Sequence, residues 1–131
     1  MSTKMKLGPR QKKWIADIPE YVQAHGELCD GKGFCCLGVY AHTQVEEPWV
    51  DDVDNWHYLD KDGRPNRVTL GDGDWEELGL WSGEGRFKVG ILYKGKTYGT
   101  LAILNDSKQI TPKEMSAFIK RNASEIFKKA A

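Results

Sequence analysis

A chain of 131 residues, 40% hydrophobic and 29% charged, has the size of a single domain; such a domain buries roughly two-thirds of its unfolded surface and needs neither a disulfide nor a metal to stay folded. Lys plus Arg and Asp plus Glu number 19 each, for a formal net charge of +0, which argues against general nucleic-acid binding, where a basic excess is the rule. Three cysteines, an odd count, and no long apolar run in the sequence lead us to expect reduced thiols, a cytoplasmic location and no membrane segment.

The charge is patterned. Residues 1–13 carry five basic residues and no acid, residues 46–63 carry seven acids and only Lys61, and residues 86–96 carry four basic residues and no acid. An acidic middle between basic flanks implies internal complementarity, a bipolar surface, or simply solvated loops.

Residues 1–9 are expected to form a mobile arm ending at Pro9. From Arg10 to Ala24, Trp14, Ile15, Ile18 and Val22 recur at helical spacing. Pro19 lies inside that run, so it reads as one helix or as two short ones. After Gly26, Asp30-Gly31 marks a turn that leads into a helix from Cys35 to about Gln44. Cys36, Val39 and Tyr40 form its apolar face, with Leu37 and Ala41 beside them. Gly38 either weakens this helix or permits close packing, and Glu47-Pro48 would stop any continuation. Residues 46–74 form the least regular stretch, an acidic and aromatic insertion expected to be packed by Trp49, Trp56 and Tyr58. Its runs Asp51-Asp52-Val53-Asp54-Asn55 and Asp60-Lys61-Asp62-Gly63 lack the spacing of a calcium loop. Val68-Thr69-Leu70 reads as a brief strand, and Asp72 or Asp74 as the cap of a short helix closed by Gly79.

Arg86 to Tyr93 and Thr97 to Gly99, joined through Lys94-Gly95-Lys96, read as a hairpin with Phe87, Val89, Ile91 and Tyr93 on one face. Thr100 is expected to cap a short helix holding Leu101, Ile103 and Leu104, ended by Asn105-Asp106-Ser107. Thr111-Pro112-Lys113-Glu114 combines an N-cap, a proline at the first helical position and a capping-box glutamate. The helix that follows is expected to be long, reaching about Lys128, with Met115, Phe118, Ile119, Ala123, Ile126 and Phe127 inward. The fold class that results is α+β, with several short helices packed on a small antiparallel sheet and a long C-terminal helix, in one domain spanning 1–131.

The stretch with the most chemical content is Asp30-Gly31-Lys32-Gly33-Phe34-Cys35-Cys36. Gly31 and Gly33 can uncover backbone N–H groups, a helix start adds more, and Lys32 adds a full charge, which together describe a seat for a phosphate-like anion. The same residues serve equally as a tight turn followed by core positions. A zinc site drawn from His25, Cys29, Cys35 or Cys36, and His42 lacks C-x-x-C spacing, and Cys35 or Cys36 reads as a buried hydrophobe before it reads as a nucleophile. No G-x-S-x-G, H-E-x-x-H or Walker pattern is present. No cofactor, metal or catalytic residue is expected.

Phe34-Cys35-Cys36-Leu37-Gly38-Val39 is preceded by Trp14. It is followed by Leu78-Gly79-Leu80, by Leu101-Ala102-Ile103-Leu104-Asn105-Asp106 and by a Thr-capped helix. This order of blocks resembles a family of small bacteriophage proteins with a tryptophan near the start, CCLG, a central LGL, LAxLND and a terminal helix. The resemblance spans nearly the whole chain, as short blocks. It implies a phage source, hence the cytoplasm of a host cell, and draws attention to Asn105 and Asp106.

Three functions are compatible with these observations. In the first, the protein binds a small nucleotide ligand, as compact phage proteins do that sequester cyclic dinucleotides or cyclic ADP-ribose derivatives. Gly31, Lys32, Gly33, Phe34, Cys35, Arg86, Asn105, Asp106 and Trp14 are then the candidate ligand-binding residues, with Lys88 as a further phosphate donor. Trp49, Trp56 and Trp81 are further stacking platforms, and a homo-oligomer is compatible with this reading. In the second, it cleaves a nucleotide, with Asp106, His42 or His25 as acid or base. In the third, it inhibits a host protein through its acidic segment 46–62.

Overall fold

The computed structural model describes residues 5–45, 49–53 and 55–131. Met1 to Lys4 of the expected arm, the Glu47-Pro48 stop and Asp54 of the acidic run lie outside the described residues. The rest of the arm packs down: Met5 and Leu7 are partly buried against the core.

Helix α1 spans Pro9–Asp17 and passes into a single 3₁₀ turn, Ile18–Glu20. Pro19 lacks a backbone N–H and its ring crowds the preceding turn, so the helix does not continue to Ala24. Trp14 and Ile18 are buried, whereas Val22, expected inward, lies past the break and is 69% exposed. Helix α2, Cys36–Gln44, is the centre of the molecule. Cys36, Leu37, Gly38, Val39, Tyr40 and Ala41 are all buried in unbroken succession, and a helix apolar on every side belongs in an interior. Gly38 is what lets it sit there, because a Cβ at this position would run into the backbone carbonyl of Leu28.

The acidic insertion is more regular than its sequence suggests. Strands β1 (Val50–Asp52), β2 (Asn55–Leu59) and β3 (Pro65–Asn66) form an antiparallel sheet in that order. The expected strand at Val68-Thr69-Leu70 is absent, and pairing falls earlier, with Tyr58 opposite Asn66. Asp60 causes the difference. Its buried carboxylate accepts the N–H groups of Asp62 at 2.9 Å and Arg64 at 3.0 Å and the Asn66 amide at 2.9 Å, which folds 65–66 back onto β2.

Helix α3, Asp74–Leu78, is closed by Gly79 at φ 84, but neither Asp72 nor Asp74 caps it. Asp72 instead accepts from the Trp75 indole at 3.0 Å, and Asp74 from the Tyr58 hydroxyl at 2.9 Å. Strands β4 (Arg86–Tyr93) and β5 (Lys96–Thr100) make the expected hairpin. A register shift between Arg86 and Ile91 breaks the two-residue alternation. Phe87, Ile91 and Tyr93 therefore face inward while Val89 turns out and is 62% exposed.

Helix α4 is Leu101–Asp106, with the Thr100 hydroxyl accepting the Ile103 N–H at 3.0 Å. Helix α5, Pro112–Arg121, begins with the capping box of Thr111 and Glu114. It is short where a long helix to Lys128 was expected: Asn122 interrupts it, and a second short helix, α6, covers Ala123–Ile126. The Asn122 side chain donates to the Phe118 carbonyl at 3.0 Å, a local bond that competes with helix continuation. Past the break, Phe127 turns extended and bridges Leu80, which seats the tail against the end of α3. The fold is thus α+β, with short helices and small antiparallel sheets around a core of Trp14, Leu37, Tyr40, Leu104, Met115 and Phe118, all at most 1% exposed. No helix among the described residues is long and apolar enough to cross a membrane.

Candidate functional site

The glycine turn is stabilised by its own carboxylate. Gly31 adopts φ 87, and Asp30 Oδ1 accepts the N–H groups of Lys32 at 2.9 Å and Gly33 at 2.7 Å. Burial works to raise the Asp30 pKa, but these two donors outweigh it and hold the carboxyl below its usual range. The donors around the helix start are also engaged. Phe34 N–H goes to the Val22 carbonyl at 2.8 Å and Cys35 N–H to the Leu28 carbonyl at 3.0 Å. Cys36 N–H reaches Asn105 Oδ1 at 3.3 Å, and the Cys35 sulfur accepts Gly38 N–H as the helix cap.

Asn105 and Asp106 lie beside this turn and tie it to the neighbouring chain. The buried Asn105 amide donates to the Ala24 carbonyl at 2.8 Å and to Asp106 Oδ1 at 3.1 Å; its oxygen accepts from Cys36 and from the Gln23 side chain at 3.1 Å. Asp106 Oδ1 accepts Gly26 N–H at 2.7 Å. Gln23, Phe34, Cys36 and Asn105 line a narrow crevice that admits no water-sized sphere. Gly31, Lys32, Gly33, Phe34, Cys35, Asn105 and Asp106 are thus brought into one region. Trp14 is not part of its surface: it is fully buried, with its indole donating to the Cys36 carbonyl at 2.7 Å. Arg86 is exposed on β4, its backbone N–H on the Ser82 hydroxyl.

What the turn does carry is a cluster of partly exposed rings. Phe34 stacks on His42 with centroids 4.3 Å apart, Tyr21 meets both edge-on at 5.5 and 5.3 Å, and Trp49 leans on Phe34 at 5.6 Å. Trp56 closes over Gly31, where a Cβ would come within 2.7 Å of its indole nitrogen. Tyr21, Phe34, Trp49 and Trp56 are all partly buried, while Trp14, Tyr40, Tyr58, Phe87, Tyr98, Phe118 and Phe127 are core. The Trp49 indole donates to His42 Nδ1 at 3.2 Å, and burial holds the His42 pKa below its ordinary value. Sequence reasoning found Phe34, Trp49 and Trp56 as stacking candidates but missed Tyr21. It weighed His42 only as a metal ligand or catalytic base, because no periodicity links positions 21, 34, 42 and 49.

Catalytic geometry is sparse. Burial pushes the Cys35 thiol up to about 12 and raises Cys29 and Cys36 as well, so these sulfurs are protonated and poorly nucleophilic. Among the described residues no group of three or more His, Cys, Asp or Glu is placed to hold a metal ion. Asp106, His42 and His25 are not paired with one another.

A second concave feature lies between the chain leading into α1 and the α5–α6 junction. Met5, Leu7, Lys12, Lys120, Arg121, Ala123 and Ser124 line this groove, whose volume is about 240 Å³. Comparisons with protein-family models, with curated proteins and with solved structures return no match to this chain.

Proposed function

We propose that this protein binds a small nucleotide-type ligand without cleaving it, the base stacking on the aromatic face formed by Tyr21, Phe34, His42, Trp49 and Trp56. The observation that carries the reading is the Phe34–His42 stack at 4.3 Å, set in a group of rings that stay partly exposed beside the glycine turn. One base stacked on such a ring contributes about 1–3 kcal/mol in single-strand binders. Because Asp30 already holds the N–H groups of Lys32 and Gly33, the phosphate is expected against the Lys32 ammonium rather than in the turn itself. The resemblance to small phage proteins makes a host immune signal, a cyclic dinucleotide or cyclic ADP-ribose derivative, the ligand to try first, in the cytoplasm of the infected cell.

The test is thermal melting against a panel of cyclic dinucleotides, cyclic ADP-ribose isomers, NAD and ATP, with mass spectrometry of each mixture. A ligand at 100 times its dissociation constant adds about 2.7 kcal/mol of stability. A shift with the ligand recovered intact, and lost in Lys32→Glu or His42→Ala, supports sequestration. A shift with the ligand altered makes the protein a nucleotide-cleaving enzyme, and no shift across the panel overturns the reading.

A second reading, inhibition of a host protein, rests on the tip of the first sheet. Val50 and Val53 are 40% and 87% exposed beside Asp51 and Asp52, an apolar–acidic edge suited to a basic partner. Capture of a host protein that survives Asp51→Lys/Asp52→Lys would count against that surface.

A further inference from the structure

We propose that the groove between the chain leading into α1 and the α5–α6 junction is a second, independent anion site that takes a phosphate or pyrophosphate group. The fold brings Lys12 from α1 and Lys120 and Arg121 from the last turn of α5 to one cleft, with Ser124 on its rim and Met5 and Leu7 on its floor. No carboxylate lines it. Five cations elsewhere are engaged, Lys13 with Asp17, Lys61 with Glu77, Arg67 with Glu27, Lys94 with Glu114, and the Arg10 guanidinium with the Glu77 carbonyl. Lys12, Lys120 and Arg121 have no such partner among the described residues.

The last turn of a helix is where its dipole favours cations, and that alone accounts for Lys120 and Arg121. It does not account for Lys12, which a different helix delivers to the same cleft. Three like charges drawn together repel one another, and an anion between them reverses the sign of that interaction. The apolar floor keeps water from one side of the site, which weakens screening there. The volume of about 240 Å³ falls below the roughly 300–1,000 Å³ of pockets that enclose drug-sized molecules, so the groove suits the anionic group and not a whole dinucleotide. The same chemistry is offered by a free pyrophosphate and by the headgroup of an anionic lipid.

The experiment is a titration of the full chain with sodium pyrophosphate, followed by amide chemical shifts. In parallel, the protein is sedimented with phosphatidylcholine vesicles made with and without phosphatidic acid. Saturable shifts at Arg121 and Ser124 are expected, weakening as sodium chloride rises. Affinity should fall at least tenfold in Lys120→Gln and in Lys12→Gln, both exposed positions, and stay unchanged in the hairpin variant Lys96→Gln. Pyrophosphate binding without vesicle binding identifies a soluble phosphate ligand, and sedimentation only with phosphatidic acid identifies a lipid headgroup; both support the site. Absence of both, or binding that Lys120→Gln and Lys12→Gln leave unchanged, overturns it. Because the aromatic face is not involved, nucleotide binding there stands or falls separately.

Discussion

The side-chain oxygen of Asn105 accepts the backbone N–H of Cys36 at 3.3 Å, joining the end of α4 to the start of α2 across 69 residues of chain. That bond links the CCLG block to the LAxLND block and gives the second a structural role. Both donors and both acceptor positions of the Asn105 amide are engaged, and the residue is 1% exposed. Asn105→Ala would strand the Cys36 N–H and the Ala24 carbonyl in the interior. Each buried polar group left unpaired costs about 1–3 kcal/mol, so we expect a loss of about 2–5 kcal/mol in urea unfolding. A loss below about 1 kcal/mol would show that water takes over the amide's bonds.

Gly38 sets how close α2 lies to the Leu28 strand of chain. Gly38→Ala gains about 1 kcal/mol of helix propensity but drives a methyl group into the Leu28 carbonyl. Overpacking of this kind costs about 1–3 kcal/mol, occasionally more, and here the obstacle is backbone that cannot rotate away. The expected result is net destabilisation, seen as a lower urea midpoint with an unchanged slope. A raised midpoint would mean that α2 can move outward freely.

Local signals were legible where a single residue decides the outcome. The capping box at Thr111 and Glu114, the Thr100 cap, the Gly79 closure and the Cys36–Gln44 helix all follow from neighbours within four positions. What the sequence hid depends on which of several available local bonds forms, and on contacts across the fold. Asp60 gathers donors from Asp62, Arg64 and Asn66 to create a strand at 65–66, and Asn122 with the Phe127–Leu80 bridge shortens the last helix. The bulge in β4 moves Val89 outward against strict alternation. At the site, the glycine turn was legible as a turn, but the use of its N–H groups by Asp30 was not, because an Asp before Gly fits a plain turn and an anion seat equally well. The aromatic face joins residues 21, 34, 42 and 49, a convergence that only the tertiary structure reveals.

Asp74 should make stability fall as pH rises. It is fully buried, and Oδ1 has no hydrogen-bond partner while Oδ2 receives the Tyr58 hydroxyl. Burial raises its carboxyl above the ordinary 3.8, with the Tyr58 bond working the other way. A group whose folded pKa is raised contributes stability fully below the unfolded value and loses it as pH climbs through the folded one. Asp30, Asp60 and Glu114 are held below their usual values and act oppositely, losing their contribution as the solution is acidified. Urea unfolding of the wild type and Asp74→Asn in parallel, from below pH 3.8 upward, isolates Asp74, because the other titrating groups are common to both proteins. Asp74→Asn should gain stability relative to the wild type as pH rises above 3.8. A stability difference between the two proteins that does not change with pH would place the effect elsewhere.

The Trp49–His42 bond links the aromatic face to pH. Trp49 Nε1 donates to His42 Nδ1 at 3.2 Å, which requires a neutral imidazole with a free lone pair on that nitrogen. Burial depresses the His42 pKa below 6.5. With the folded value below the unfolded one, this group supports stability above about pH 6.5 and loses that support as pH falls through its folded pKa. Protonation converts Nδ1 into a donor, and the indole bond breaks. The Trp49 indole N–H resonance should therefore move on acidification with a midpoint below 6.5, and His42→Phe, which keeps a ring on Phe34, should abolish that titration. If a nucleobase stacks on this face, its affinity should weaken with the same midpoint in the wild type and lose that pH dependence in His42→Phe. An indole resonance that titrates identically in the variant would separate Trp49 from His42. Nucleotide affinity that is flat between pH 7 and pH 5 would take the His42 ring out of the ligand site.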